Sequence, residues 1–93
     1  MKKELKDKWL SALRSGEYRQ GAYHLHADGK WCPLGILLRI SDTEGEITKN
    51  TKIRLSDLEH LGLRVIHATR IIDMNDFYKN SFEGIADYVE DAV

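Results

Sequence analysis

Three side chains have the types and spacing for chemistry: His24, His26 and Cys32. Two imidazoles two residues apart share one face of an extended strand. Asp28-Gly29 is a strong tight-turn dipeptide. A return strand of Lys30, Trp31 and Cys32 would then lie beside those imidazoles. Imidazole and thiolate are zinc ligands, and a thiol at a helix start with a histidine base near it is a candidate nucleophile. His60 and His67 are further imidazoles elsewhere in the chain. The pattern has no C-x-x-C pair and no histidine pair at zinc-finger spacing. Trp31 and Cys32 point to opposite faces of the return strand, so only one of them can join the histidines. Free cysteine is among the most buried residue types. The expectation is therefore a buried Cys32, histidines on a solvated strand face, and no metal, cofactor or catalysis.

The elements that would position these residues are organised around Trp31 to Ile40, the most apolar run in the chain. Pro33 suits the first turn of a helix, because its φ is preset and its missing N–H is not needed there. Cys32 becomes the N-cap. Leu34, Ile36, Leu37, Leu38 and Ile40 surround that helix with apolar side chains, which places it in a core; a buried strand is the rival reading that periodicity alone does not exclude. Gly35 marks a close approach of another backbone. Ahead of this run, Lys2 to Ser15 reads as an amphipathic helix with Leu5, Trp9, Leu10 and Leu13 on one face, stopped by Gly16. Glu17 to Gly21 reads as a polar connection, and Ala22 to Cys32 as a β-hairpin with Tyr23, Leu25 and Ala27 on its apolar side.

Beyond the central run, Ser41 to Asn50 reads as a polar loop with room for a second weak hairpin; Ile47, Ile53 and Leu55 are the apolar positions that follow. Ser56 to Glu59 is a capping-box pattern opening a short helix before Gly62, docked by Leu58, Leu61 and Leu63. Arg64 to Asn75 reads as a helix with a stripe of Val65, Ala68, Ile71 and Ile72, although its β-branched pairs would also suit strands. Asn80 and Glu83 cap a last helix that runs to Val93, apolar at Phe82, Ile85, Ala86 and Val89. The fold class predicted is α+β: a single domain over residues 1–93, with an N-terminal helix, a small antiparallel sheet and a C-terminal amphipathic helix. Its core is expected to hold Trp9, Leu13, Leu34, Leu37, Leu38, Leu61, Ile72, Phe82, Ile85 and Val89.

Composition sets the context. At 93 residues, 42% hydrophobic and 31% charged, the chain is the size of one small globular domain and is not disordered. A domain this small is only modestly stable alone, which leaves a homodimer or a core-sharing partner open. A formal net charge of −1 gives no bulk attraction to nucleic acid or an acidic membrane. One cysteine allows no internal disulfide framework. The start, Met1 to Lys8, has no apolar segment behind it and does not read as a secretory signal. The expected location is the cytoplasm, with no membrane contact.

Three stretches carry a resemblance: Trp9 to Gln20, Cys32 to Leu37, and Met74-Asn75-Asp76 followed by Ser81 to Glu90. Together, in this order, they resemble a family of small bacteriophage and prophage proteins. Those proteins pair a Trp-x-x-Ala-Leu-Arg-Ser-Gly-x-Tyr start with a Cys-Cys-Leu-Gly-Val-Leu centre and a Ser-Phe-x-x-Ile-Ala-Asp end. Pro33 stands where the family often has a second cysteine, and Ser41 to Arg54 has no counterpart. The resemblance implies a phage-type origin, hence a host cytoplasm, and supplies no activity or site residue.

Two charged faces and a set of aromatics complete the candidates. The C-terminal helix presents Glu83, Asp87, Glu90 and Asp91 with Tyr88, a surface for a basic protein partner. The N-terminal helix presents Lys2, Lys3, Lys6, Lys8 and Arg14 against Glu4 and Asp7. Lys2, Lys6 and Arg14 are its candidate contacts to nucleic acid. No recognition helix follows Phe82 to Ala86, so helix-turn-helix binding is not expected. Tyr18, Tyr23, Phe77, Tyr78 and Tyr88 are candidate aromatic anchors. The leading functional expectation is a non-enzymatic, phage-type accessory protein that binds a host protein and inhibits a host defence system, in the manner of an anti-CRISPR protein. The alternative is a small nucleic-acid binder using the basic helix; a hairpin metal or thiol site comes third.

Overall fold

The structure is a computed structural model that describes residues 1–41, 47–52 and 54–93. Helix α1, Lys3–Arg14, forms on the amphipathic stretch and buries Trp9, Leu10 and Leu13. Gly16 follows it at a φ of 76°. Helix α2, Pro33–Ser41, is the centre: every residue from Pro33 to Leu38 is buried. It packs between α1 and α4. The Trp9 indole donates to the Pro33 carbonyl at 2.9 Å, so a fully buried indole N–H is satisfied. Gly35 lies against the Leu25 backbone, and the Cys32 N–H donates to the Leu25 carbonyl at 3.1 Å. The close approach expected of Gly35 is thus to the chain just ahead of the hairpin.

The hairpin consists of β2, His26–Ala27, and β3, Lys30–Trp31, antiparallel with His26 opposite Trp31. Asp28 (φ 54°) and Gly29 (φ 75°) are both left-handed, as a type I′ turn requires. The strand expected from Ala22 is cut to two residues, because Tyr23 takes a φ of 71° and breaks the extended chain. A second correction concerns Glu17 to Gly21. Within that expected connection, β1 (Arg19–Gln20) pairs parallel with β3, giving sheet order β1-β3-β2. The sheet is therefore mixed, and a two-residue strand is too short to carry a period-two signal.

Helix α3, Leu55–His60, starts two residues earlier than a Ser56 cap would place it; Arg54 is the cap residue, and its Nε donates to Asp57 Oδ2 at 2.8 Å. The end follows expectation. Leu63 N–H bonds the Leu58 carbonyl and Gly62 N–H that of Glu59, both at 2.9 Å, with Gly62 at φ 87°: a Schellman motif with Leu58 and Leu63 both buried. The Arg64–Asn75 stretch is helix α4, Val65–Asp76. Its buried face is Ala68, Ile71, Met74 and Asn75; Val65 is exposed and Ile72 only half-buried. Helix α5, Phe82–Ala92, buries Phe82, Ile85, Ala86 and Val89 as expected, but Ser81, not Asn80, is its cap, accepting from Gly84 N–H at 3.2 Å.

Of the expected core, Leu61 and Ile72 lie at its edge and the rest are buried. Leu61 caps the C-terminus of α3, where the chain turns outward. Ile47 is buried and Leu55 is exposed. Ile53, and residues 42–46 of the second hairpin considered for Ser41 to Asn50, lie outside the described residues. The fold is α+β, with five helices about a small sheet among the described residues.

Candidate functional site

The hairpin does not assemble the His24, His26 and Cys32 set. The His26 ring stacks flat on Trp31, with centroids 3.8 Å apart and planes at 6°. Its Nδ1 lies 2.7 Å from the Ile47 carbonyl; a carbonyl only accepts, so Nδ1 carries the proton. Trp31 therefore takes the side of His26, and Cys32 turns into the core, as the alternation of the return strand requires. Cys32 Sγ accepts the Gly35 N–H at 3.4 Å. Burial pushes the Cys32 thiol up to about 11 despite the helix N-terminus at which it sits. It stays a thiol at neutral pH and is no activated nucleophile. Among the described residues no three His, Cys, Asp or Glu side chains stand together as a metal site.

The two charged faces meet each other. Glu83, Asp87 and Glu90 repeat along α5 beside its buried stripe, and α5 packs on α1. Arg14 bridges all three: Nη2 to Asp87 at 2.8 Å, Nη1 to Glu90 at 3.1 Å and Nε to Glu83 at 3.4 Å. Asp87 first, then Glu90, raise the guanidinium pKa above its ordinary value. Lys6 Nζ donates to the Glu90 carbonyl at 3.0 Å. Arg14 and Lys6 of the nucleic-acid set and Glu83, Asp87 and Glu90 of the protein-binding set are thus engaged within the chain. Lys2 and Asp91 stay exposed, and Tyr88 is half-buried beside His67.

A different corner draws attention through its backbone. Among the described residues, the non-glycine positions with positive φ are Tyr23, Asp28 and Lys79. Asp28 belongs to the hairpin turn. Tyr23 (φ 71°) lies in no such turn, and Lys79 (φ 56°) follows the end of α4, where Asn80 N–H bonds the Met74 carbonyl at 2.8 Å; as non-glycine residues each costs about 1–2 kcal/mol. They lie against each other: Lys79 Nζ sits 4.8 Å above the Tyr23 ring centroid and 3.4 Å from its hydroxyl. Phe77 packs edge-on to Tyr23 at 6.3 Å, and the Arg70 guanidinium lies 5.8 Å from the Tyr78 ring. Tyr23, Phe77 and Tyr78 are 65%, 67% and 68% exposed.

A polar network holds this corner in place. Asn75, the single polar side chain buried in the core among the described residues, donates to the Gly21 carbonyl at 2.8 Å and to Asp76 Oδ1 at 2.9 Å. Gln20 Nε2 donates to Asn75 Oδ1 at 2.8 Å and to the Asn80 carbonyl at 2.7 Å. Asp76 Oδ1 accepts the Tyr23 N–H at 3.2 Å. Satisfied networks of this kind rigidify what they join; here they lock residues 20–23 to the α4–α5 junction. Behind Tyr23 opens a cavity of about 350 Å³.

Tyr23, Phe77 and Tyr78 were readable as aromatic candidates, but their meeting was not. The other two differ: Tyr18 packs edge-on to Trp31 at 5.7 Å and is half-buried, as is Tyr88. The supports Gln20, Asn75 and Asp76 and the cation Lys79 were missed as a site. An asparagine on the apolar face of α4 was the one signal that could have marked them.

A family described as a domain of unknown function (DUF8296) matches residues 1–60. No curated protein and no solved structure matches the chain.

Proposed function

We propose that this chain, which belongs to the DUF8296 family, is a non-enzymatic protein-binding module whose contact surface is the corner of Tyr23, Phe77, Tyr78, Arg70 and Lys79. The observation that carries this reading is the meeting of Tyr23 and Lys79, two strained residues of distant sequence position, at the most exposed aromatics in the fold. Strain that packing maintains at the surface belongs to recognition more often than to stability, and clustered aromatics beside a cation are the usual anchors of an interface. The partner's matching surface is an apolar side chain next to a carboxylate, complementary to the rings and to Arg70 and Lys79. In line with the phage-type resemblance, the partner is a host protein in the host cytoplasm, and the role is that of an accessory protein inhibiting a host defence system.

Affinity capture from host lysate tests this with two baits, the parent chain and a Phe77→Ser, Tyr78→Ser double variant. Both positions are exposed, so the variant should melt within about 0.5 kcal/mol of the parent. A partner held by the parent and lost by the variant is the expected result. Equal capture by both, or no reproducible partner, removes the proposal. The basic-helix reading keeps Lys2 exposed, while Arg14 and Lys6 of its set are engaged by α5.

A further inference from the structure

The cavity behind Tyr23 shares that residue with the aromatic face but is lined otherwise by different side chains, and the inference about it stands whether or not that face takes a partner. Protein interiors leave few voids larger than a water molecule. An open cavity of about 350 Å³ in a chain of 93 residues is within the range of small-ligand sites, roughly 300–1,000 Å³. Its floor is apolar: Ile72 and the edge of Cys32 reach it, and Leu25, Leu34 and Ile71 lie packed directly beneath. Among the described residues its rim is polar and weighted to positive charge. Lys49 and Lys52 are exposed there beside His24. The N-terminus of α2 arrives at the same place through Pro33 and Leu34, adding its partial positive charge. The acid on the rim among the described residues, Asp76, turns its Oδ1 to the Tyr23 N–H and the Asn75 amide.

An apolar floor under a basic rim selects a ligand with the matching division. We infer that this cavity binds an amphipathic carboxylate: an apolar group of modest size that lies over Ile72 and Cys32, above the packed Leu25, Leu34 and Ile71, with its carboxylate at Lys49 and Lys52. The apolar part supplies burial, and the rim supplies discrimination by charge. Two sources share this chemistry, a free short-chain amphiphile and the C-terminal carboxylate of a peptide ending in an aliphatic residue.

The test uses octanoate, octanol and octylamine, together with a short peptide ending in leucine as the free acid and as the amide. Binding is followed by backbone amide shifts and by the rate at which Cys32, the sole cysteine, is alkylated. Octanoate should move the amides of Leu25, Ile71 and Ile72 most and should slow Cys32 alkylation, because both report on the cavity wall. Octylamine should bind at least about tenfold more weakly, as should octanoate to a Lys49→Glu, Lys52→Glu variant. Both lysines are exposed, so that variant keeps its fold, and Phe77→Ser, which lies outside the cavity lining, should bind octanoate normally. Binding of the free-acid peptide without octanoate assigns the chain end as the source; octanoate without the peptide assigns the free amphiphile; either supports the proposal. Octylamine or octanol binding as well as octanoate, or no probe shifting the cavity amides, overturns it.

Discussion

Gly35→Ala is the substitution that best separates local propensity from tertiary packing. Within an isolated helix, alanine for glycine is a gain of about 1 kcal/mol. In this fold a Cβ at position 35 would run into the Leu25 carbonyl oxygen and come to 2.8 Å from the Leu25 carbonyl carbon. The obstruction is backbone, so no change of rotamer relieves it, and no side-chain substitution at Leu25 rescues it. Forcing α2 away from residue 25 also lengthens the 3.1 Å bond from Cys32 N–H to the Leu25 carbonyl. Overpacking against a fixed wall costs about 1–3 kcal/mol or more, and the hydrogen bond about 1 kcal/mol. Since the wall is backbone, the upper end applies, and the net after the propensity gain is about 3 kcal/mol of destabilisation. For a domain of this length that lowers the melting temperature by roughly 12–24 °C. Thermal melts followed by far-UV circular dichroism, with urea midpoints alongside, read the effect. A melting temperature unchanged or raised would refute the packing of α2 on residue 25, and with it the wall that places Leu25, Cys32 and Leu34 around one cavity.

Three further outcomes are expected. Cys32 has its pKa raised from 9.0 to about 11 in the folded chain; the stability this contributes is complete below about pH 9 and is lost as pH rises towards 11, about 2–3 kcal/mol in all. Urea titrations across that window should show the loss, and a Cys32→Ala variant should lack that part of the slope. Asn75→Ala removes the partner of the Gly21 carbonyl and one of the two acceptors of the Gln20 amide, and should cost about 1–2 kcal/mol by urea midpoint; a cost under about 0.5 kcal/mol would mean the network does not hold the corner. Arg14→Glu should lower the melting temperature and reverse its salt dependence: the parent falls as salt screens attraction to Glu83, Asp87 and Glu90, and the variant rises as salt screens repulsion. Identical salt slopes would show that the cluster is not formed in solution.

What the sequence determined by itself was everything written in local periodicity and special backbone chemistry. The amphipathic stripes of α1 and α5 gave their buried faces residue by residue. Pro33 started α2, Asp28-Gly29 turned the hairpin, Gly62 ended α3, and the alternation of Trp31 and Cys32 sent the thiol inward. Each is a short-range rule, in which one residue's φ or one face's repeat decides the outcome. Tertiary structure decided the rest, because the deciding partner was far along the chain. Strand β1 exists only because β3 offers it a parallel edge, and two residues carry no pattern to announce that. The buried face of α4 turned to Ile71 and Met74 over Ile72 and Val65 because α2 and α5 pack there, and both choices are apolar enough to satisfy periodicity. The basic and acidic helices read as two surfaces for two partners, yet Arg14 reaches Glu83, Asp87 and Glu90 across more than sixty residues of sequence. The Tyr23 and Lys79 corner has the same origin. Left-handed tyrosine and lysine are unfavourable in any local window, so only a network such as Gln20, Asn75 and Asp76, drawn from both ends of the fold, holds them there.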